Sequence, residues 1–290
     1  MEYLLHIIVL AGIYTILAAS LDLLTGHTGL LSLSQAAFFG LGAYTSALLA
    51  VRYGLSFPMG MVAGMAIAAL VSLVVSVPSL RLHDDYFVLA TFGFQMMLFS
   101  ILNNWVEVTS GPLGISGISP PAIFGWVVQS RLGLAILAVA LALLAHVILV
   151  RITSSPFGRV LRAIREDEIF LGALGKSALR FKVTAFAVST AIAAATGSLY
   201  AHYMSYIDPT SFTIMESILV ISMVIIGGAG SRWGPVVGAV VLVTLPEALR
   251  FVGLPSSVAA NLRQIFYGVL LVGMMIVRPR GLVGRYGFGR

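Results

Sequence analysis

Apolar residues in this 290-residue chain gather into nine long blocks separated by short polar breaks. The blocks run over 3–23, 29–50, 58–79, 86–104, 131–150, 182–203, 215–230, 234–250 and 262–278. Each is roughly 17–23 residues, which as helix matches a hydrocarbon core of about 30 Å. The pattern predicts an all-α, polytopic membrane helical bundle of about nine spans. Gly40 and Gly42 in the second block, and Gly227, Gly228, Gly230, Gly234, Pro235 and Gly238 across the seventh and eighth, mark where a reentrant or broken helix would replace a straight one. Such a break changes the count by one.

One polar break differs from the others. Residues 154–182 hold Ser155-Pro156-Phe157-Gly158-Arg159-Val160-Leu161-Arg162-Ala163-Ile164-Arg165-Glu166 and run on to Lys182. Ser155 suits an N-cap, and Pro156 suits the first helical position, where its missing N–H costs nothing. Phe157, Val160, Leu161, Ile164 and Leu171 recur at helical spacing as one apolar stripe. Arg159, Arg162, Arg165 and Glu166 lie off the stripe, and Arg162 is placed to pair with Glu166 one turn on. An amphipathic helix kept in a loop of a membrane protein predicts a docking surface for a cytoplasmic partner. Gly158 is expected near the partner, with Arg165 and Glu166 setting the register.

Composition agrees with the membrane reading: 59% of residues are apolar, 10% are charged, and mean hydropathy is +1.02. Soluble domains carry about 25% charge. The net charge of +6 does not predict nucleic-acid binding, because the basic residues flank apolar blocks instead of forming one patch. With no cysteine, disulfides, thiolate nucleophiles and cysteine-held metals are excluded. Residues Met1 to Ser20 lack a basic leading segment and are read as a span, not a cleaved signal.

Basic residues choose the orientation. If the 151–182 loop is cytoplasmic, Arg81, Arg151, Arg159, Arg162, Arg165, Lys176, Arg180, Lys182, Arg232, Arg278, Arg280, Arg285 and Arg290 lie inside. Arg52, Arg131, Arg250 and Arg263 lie outside, a split of 13 against 4. The N-terminus is therefore expected outside and the C-terminus inside. The longest outside loop is 105–130, rich in glycine and proline, and reads equally as a partner surface or an irregular connector.

Ionisable residues avoid the middle of the blocks. Asp22, His146, Glu216 and Glu247 fall near block ends, within expected reach of water or headgroups. A proton- or voltage-driven machine usually needs such a group deeper. The mid-membrane polar residues are neutral: Gln95, Ser189, Thr190 and Ser222, with Ser34 and Gln35 nearer an end. They are candidates for lining a path, though hydrogen bonding between helices is the commoner use of such side chains. Small residues (Ala191 to Gly197, and Gly60, Gly64, Ala68 at four-residue spacing) predict close helix packing. His6, His27, His83, His146 and His202 lack metal-ligand spacing and read as interfacial or hydrogen-bonded. Gly172-Ala173-Leu174-Gly175-Lys176-Ser177 imitates a phosphate loop, but its first glycine would fall on Phe170 and no strand precedes it. Energy for uphill transport would then come from another subunit or an ion gradient.

A series of short motifs runs in order along the chain: Gly29-Leu30-Leu31-Ser32-Leu33-Ser34-Gln35-Ala36-Ala37-Phe38 with Gly42-Ala43-Tyr44, and Leu80-Arg81-Leu82 with Tyr86-Phe87. Pro156-Phe157-Gly158-Arg159 through Arg165-Glu166 follows, then Lys182, Ala185, Phe186 and Ser189. Gly227-Gly228-Ala229-Gly230, Gly234-Pro235, Gly238-Ala239 and Arg278-Pro279-Arg280-Gly281-Leu282 complete it. In these motifs and their order the chain resembles the permease subunits of ABC importers for branched-chain amino acids. Ser34 stands where glycine is common, and Asp84 and Asp85 depart from the glycine-containing form.

The resemblance implies a single transmembrane permease domain over 1–290, in the bacterial inner (plasma) membrane, with a cytoplasmic coupling loop at 151–181. It implies half of a translocation pore for branched-chain or other small hydrophobic amino acids, with urea, amides or aromatic acids as the alternative cargo. The implied partners are a second related permease, two ATP-binding subunits and an extracytoplasmic solute-binding protein. ATP and Mg are used by those partners, and this chain binds neither cofactor nor metal and catalyses nothing itself. Pro156, Phe157, Gly158, Arg159, Leu161, Arg162, Ile164, Arg165 and Glu166 are the implied coupling residues. A secondary transporter explains the spans but not the docking helix. A membrane enzyme has only His83, Asp84 and Asp85 as a polar cluster, which a solvated turn explains better.

Overall fold

The computed structural model describes residues 2–80, 84–123, 126–250, 268–269, 272–273, 276, 278 and 281–284. His83 and the basic residues at 81, 263, 280, 285 and 290 fall outside the described residues, as does most of the ninth predicted block (262–278).

Eleven helices appear among the described residues. Five are long and apolar enough to cross a membrane: α1 (Glu2–Thr25), α3 (Phe57–Ser79), α4 (Asp84–Asn104), α6 (Arg131–Ser154) and α9 (Ala178–Met204). The others are α2 (Gln35–Tyr53), α5 (Val106–Thr109), α7 (Pro156–Glu166), α8 (Glu168–Ala173), α10 (Ile214–Gly227) and α11 (Gly234–Arg250). The second predicted block therefore starts late. Residues 29–34 are not helical, because Gly29 takes the left-handed conformation at φ +78°. The seventh and eighth blocks are short helices of 14 and 17 residues, or about 21 and 26 Å of rise.

Helices α1, α2 and α9 form the interior. α2 packs on α9 and α3, α9 on α3 and α1, and α1 also meets α6, α10 and α11. The small residues make this possible. A Cβ on Gly42 would strike the backbone of Ala194, and one on Gly197 would strike the backbone of Phe39. The stripe Gly60, Gly64, Ala68, Ser72, Ser76 of α3 is buried along its whole length. Without a hydrophobic drive between helices in lipid, this close backbone approach supplies the van der Waals attraction. α6 is peripheral: Leu132, Ile136, Val139, Leu143, Leu144, Val147 and Ile148 leave an exposed apolar face suited to acyl chains.

The described part of the 105–130 connector is tied down. Ile115–Ser116 pairs antiparallel with Tyr206–Ile207, tying the connector to the end of α9. Gly114 (φ +67°) permits this, since a Cβ there would strike the Ile207 carbonyl. Arg52 at the end of α2 donates to the carbonyls of Glu107 and Val108 at 2.8 and 3.0 Å. His202 Nδ1 faces the Ser119 carbonyl at 2.7 Å, so it must donate there and leave Nε2 to accept from Ser46 Oγ at 2.9 Å.

Candidate functional site

The α7–α8 segment forms as its residues dictate. Ser155 Oγ accepts from the Gly158 amide and Pro156 opens the helix, so α7 starts on a chemical signal. Asp167 ends α7 and caps α8 by accepting from the Phe170 amide at 2.9 Å. The apolar stripe points inward. Val160, Leu161, Ile164 and Leu171 are buried, and the ring of Phe157 packs on Phe181 of α9 at 5.6 Å. The sequence reading gave this stripe to a partner; the fold spends it on the chain's own bundle.

Gly158 is also internal. A Cβ there would run into the backbone of Thr153, so this glycine closes the sharp α6–α7 turn. Arg162 likewise turns inward and donates to the Thr153 carbonyl at 2.9 Å, instead of pairing with Glu166. Pro156, Arg159 and Glu166 are exposed. Three large apolar side chains stand out beside them: Ile169 (87% exposed), Phe170 (63%) and Leu174 (62%). Sequence reasoning passed over these residues, although Asp167 as a second N-cap signals the helix that presents them.

The segment is tied to the bundle at three points. Arg165 donates to the Gly26 carbonyl at the end of α1. Lys182 of α9, only 5% exposed, donates to Glu168 of α8 at 2.5 Å. Arg162 holds the end of α6. One residue further along this chain of contacts, Asp22 Oδ1 accepts the Gly230 amide at 2.8 Å and so ties α1 to the glycine-rich loop before α11. Asp22 is 4% exposed, which corrects the expectation that water reaches it. The α1 terminus tucks under the 228–231 loop, where Gly230 (φ +76°) can turn its amide onto the carboxylate.

His27 lies in the turn after α1, with Nδ1 at 3.2 Å from the Asp22 carbonyl and 3.6 Å from its carboxylate. Burial holds the imidazole's pKa down, to about 4, with Arg162 and Arg165 adding repulsion against the contact with Asp22. His27 is thus neutral near pH 7.

The candidate path residues divide into small networks. Gln35 Nε2 donates to Ser20 Oγ at 2.7 Å, and Ser189 Oγ donates to the Ser20 carbonyl at 2.6 Å, joining α1, α2 and α9. Gln95 Nε2 donates to the Phe212 carbonyl at 2.8 Å and its Oε1 accepts from Ser217. Ser34 pairs with Ser32 at 3.0 Å. Thr190 and Ser222 bond to carbonyls of their own helices, Ala187 and Ile218. All six are buried. Tyr44, which the sequence reading quoted only as part of a motif, is buried with its hydroxyl lacking a hydrogen-bond partner among the described residues.

The fold and this folded loop define an all-α integral membrane protein with a structured element outside the bundle. The class narrows by comparison. Residues 3–275 match the family described as branched-chain amino acid transport system, permease component, and the chain belongs to that family. It is 35% identical over 297 residues to the high-affinity branched-chain amino acid transport system permease protein LivM of Escherichia coli (strain K12), covering 94% of this chain and 68% of the relative. It is 28% identical over 217 residues to the probable branched-chain amino acid transport permease protein LivM of Methanocaldococcus jannaschii, covering 71% and 62%. The autoinducer 2 import system permease protein LsrC of Enterobacter sp. (strain 638) is 26% identical over 240 residues, covering 80% and 66%. No solved structure matches the chain.

Proposed function

We propose that this chain is the permease half-pore of an ATP-driven importer for branched-chain or other small hydrophobic amino acids. The cargo reading is supported by the names of the relatives with the highest identities. One permease domain would span the plasma membrane, N-terminus outside, with the coupling loop 151–181 in the cytoplasm. The 13-against-4 split of basic residues supports that orientation. The short helices α10 and α11, with the sheathed α2, complete the crossings that the five long helices begin.

The single observation that carries the coupling mechanism is the wiring of α7–α8. In this reading Arg159, Glu166, Ile169, Phe170 and Leu174 meet an ATP-binding subunit, with the apolar trio as anchor and the charges setting register. The buried stripe and the Arg165–Gly26, Lys182–Glu168 and Arg162–Thr153 contacts make the segment rigid with respect to α1, α9 and α6. A displacement at α8 would then move the central helices instead of bending a loop. Asp22–Gly230 would carry it to the α10–α11 loop. A solute-binding protein would deliver cargo from outside, and a second related permease would supply the other pore wall.

Purification of tagged chain co-expressed with its genomic neighbours tests this reading. Recovery of a related permease and two ATP-binding subunits supports it. Substrate accumulation by vesicles holding this chain alone, without ATP, contradicts it and restores the secondary transporter.

A further inference from the structure

A cavity of about 560 Å³ opens between the α6–α7 turn and the loop that precedes α11. Arg162 of α7 and Arg232 of that loop line it, with His27, Thr153, Ser154 and Ser231, and among the described residues none of the lining side chains is acidic. A carboxylate, Asp22, lines the adjoining cleft with Oδ1 taken by the Gly230 amide. The threonine and serine hydroxyls donate to backbone carbonyls, and Arg162 gives one N–H to the Thr153 carbonyl, so the cationic donors left over are the rest of its guanidinium and that of Arg232. Guanidinium groups bind phosphate oxygens in pairs of parallel hydrogen bonds.

His27 adds a second, independent feature. Its side chain is nine-tenths buried, and its Nδ1 must donate toward Asp22. Nε2 is left as an acceptor with no partner among the described residues, at the cavity wall. It suits a hydroxyl close to the anion.

The surroundings decide between a lipid and a soluble ion. Trp233, also at the cavity, is more than half exposed and stacks on His146 of α6 at 4.7 Å. An exposed tryptophan at the end of an apolar helix sits at headgroup depth. The exposed Leu143, Leu144, Val147 and Ile148 of α6 lead away from the cavity and would take acyl chains.

We propose that this cavity binds the phosphate of an anionic membrane lipid, gripped between Arg162 and Arg232, with a headgroup hydroxyl donating to His27. Such a lipid bridges α7 to the α10–α11 loop and reinforces the tie that Asp22 makes to Gly230.

Native mass spectrometry of the full chain in detergent, titrated with phosphatidylglycerol, tests the proposal. Phosphatidylcholine and inorganic phosphate serve as parallel probes. One phosphatidylglycerol per chain should be retained in preference to phosphatidylcholine. Arg232→Gln should weaken retention about tenfold, the loss of one charge-assisted contact. Arg232→Lys should restore part of it, and Arg151→Gln, outside the lining, should change nothing. Equal retention of the two lipids overturns the proposal, as does equal affinity in Arg232→Gln. Tight inorganic phosphate with no lipid preference overturns the lipid source. The readout is binding by one chain, so a negative result leaves the permease reading intact.

Discussion

Gly158 offers the sharpest test of where the α7 surface points. If it faces a partner, Gly158→Ala is harmless until the partner is added. The structure says otherwise, since the new Cβ would overlap the backbone of Thr153, which cannot swing aside as a side chain would. Overpacking by one methyl costs about 1–3 kcal/mol. Alanine returns less than about 1 kcal/mol through helix propensity. The net loss is about 1–2 kcal/mol, or on the order of 2–6 °C for a domain of this size. Gly172→Ala is the control, because nothing lies within 4 Å of its Cβ position and it also sits in a short loop helix. Scanning fluorimetry of the detergent-purified chain, without other subunits, reads both. A lower melting temperature for Gly158→Ala alone fits the internal role. Unchanged stability in the isolated chain, with loss of function only in the complex, refutes it.

Three further outcomes follow from the same geometry. The chain has no cysteine, so Ser116→Cys and Ser177→Cys, both at exposed positions, report topology directly; an impermeant thiol reagent added outside should label the first and spare the second, and the opposite pattern would reverse the orientation. Arg165→Glu places a carboxylate against the Gly26 carbonyl at the end of α1 and should abolish transport while the chain still inserts, as read by uptake against membrane yield; normal uptake would remove the α7–α1 tie from the mechanism. For His27, the unfolded chain takes up a proton near pH 6.5 and the folded one only near pH 4, so its contribution to stability is complete above pH 6.5 and falls as pH drops toward 4. The loss is up to about 3 kcal/mol, and wild type should lose stability relative to His27→Gln over that window.

The spans were legible because bilayer thickness imposes long apolar blocks, and α1, α3, α4, α6 and α9 fall where the blocks lie. The start of α2 was not, because Gly29 to Ser34 is apolar enough to continue a block yet turns at a positive φ. Ser155, Pro156 and the stripe of α7 located the loop helix. What faces the stripe was not legible, since periodicity defines an apolar face without naming the surface that covers it. The buried role of Asp22 escaped for a similar reason: its partner is a backbone amide 208 residues away, and no side-chain pattern announces a glycine N–H. The four histidines among the described residues fared better. His6 meets Tyr203, His27 meets Asp22, His146 stacks on Trp233, and His202 bridges Ser46 and Ser119.

The central claim is that α8 receives the motion of an ATP-binding subunit through Ile169 and Phe170. Leucine uptake and ATP hydrolysis by vesicles carrying the assembled importer test it most directly, with wild type compared to the double variant Ile169→Asp, Phe170→Asp. Burying a side chain of this size contributes about 1.5–3 kcal/mol, so the paired loss should exceed a hundredfold in docking affinity. The account predicts ATP-dependent uptake by wild type, and loss of both uptake and substrate-stimulated hydrolysis in the variant, whose own chain remains folded. Uptake equal to wild type in the double variant would contradict it.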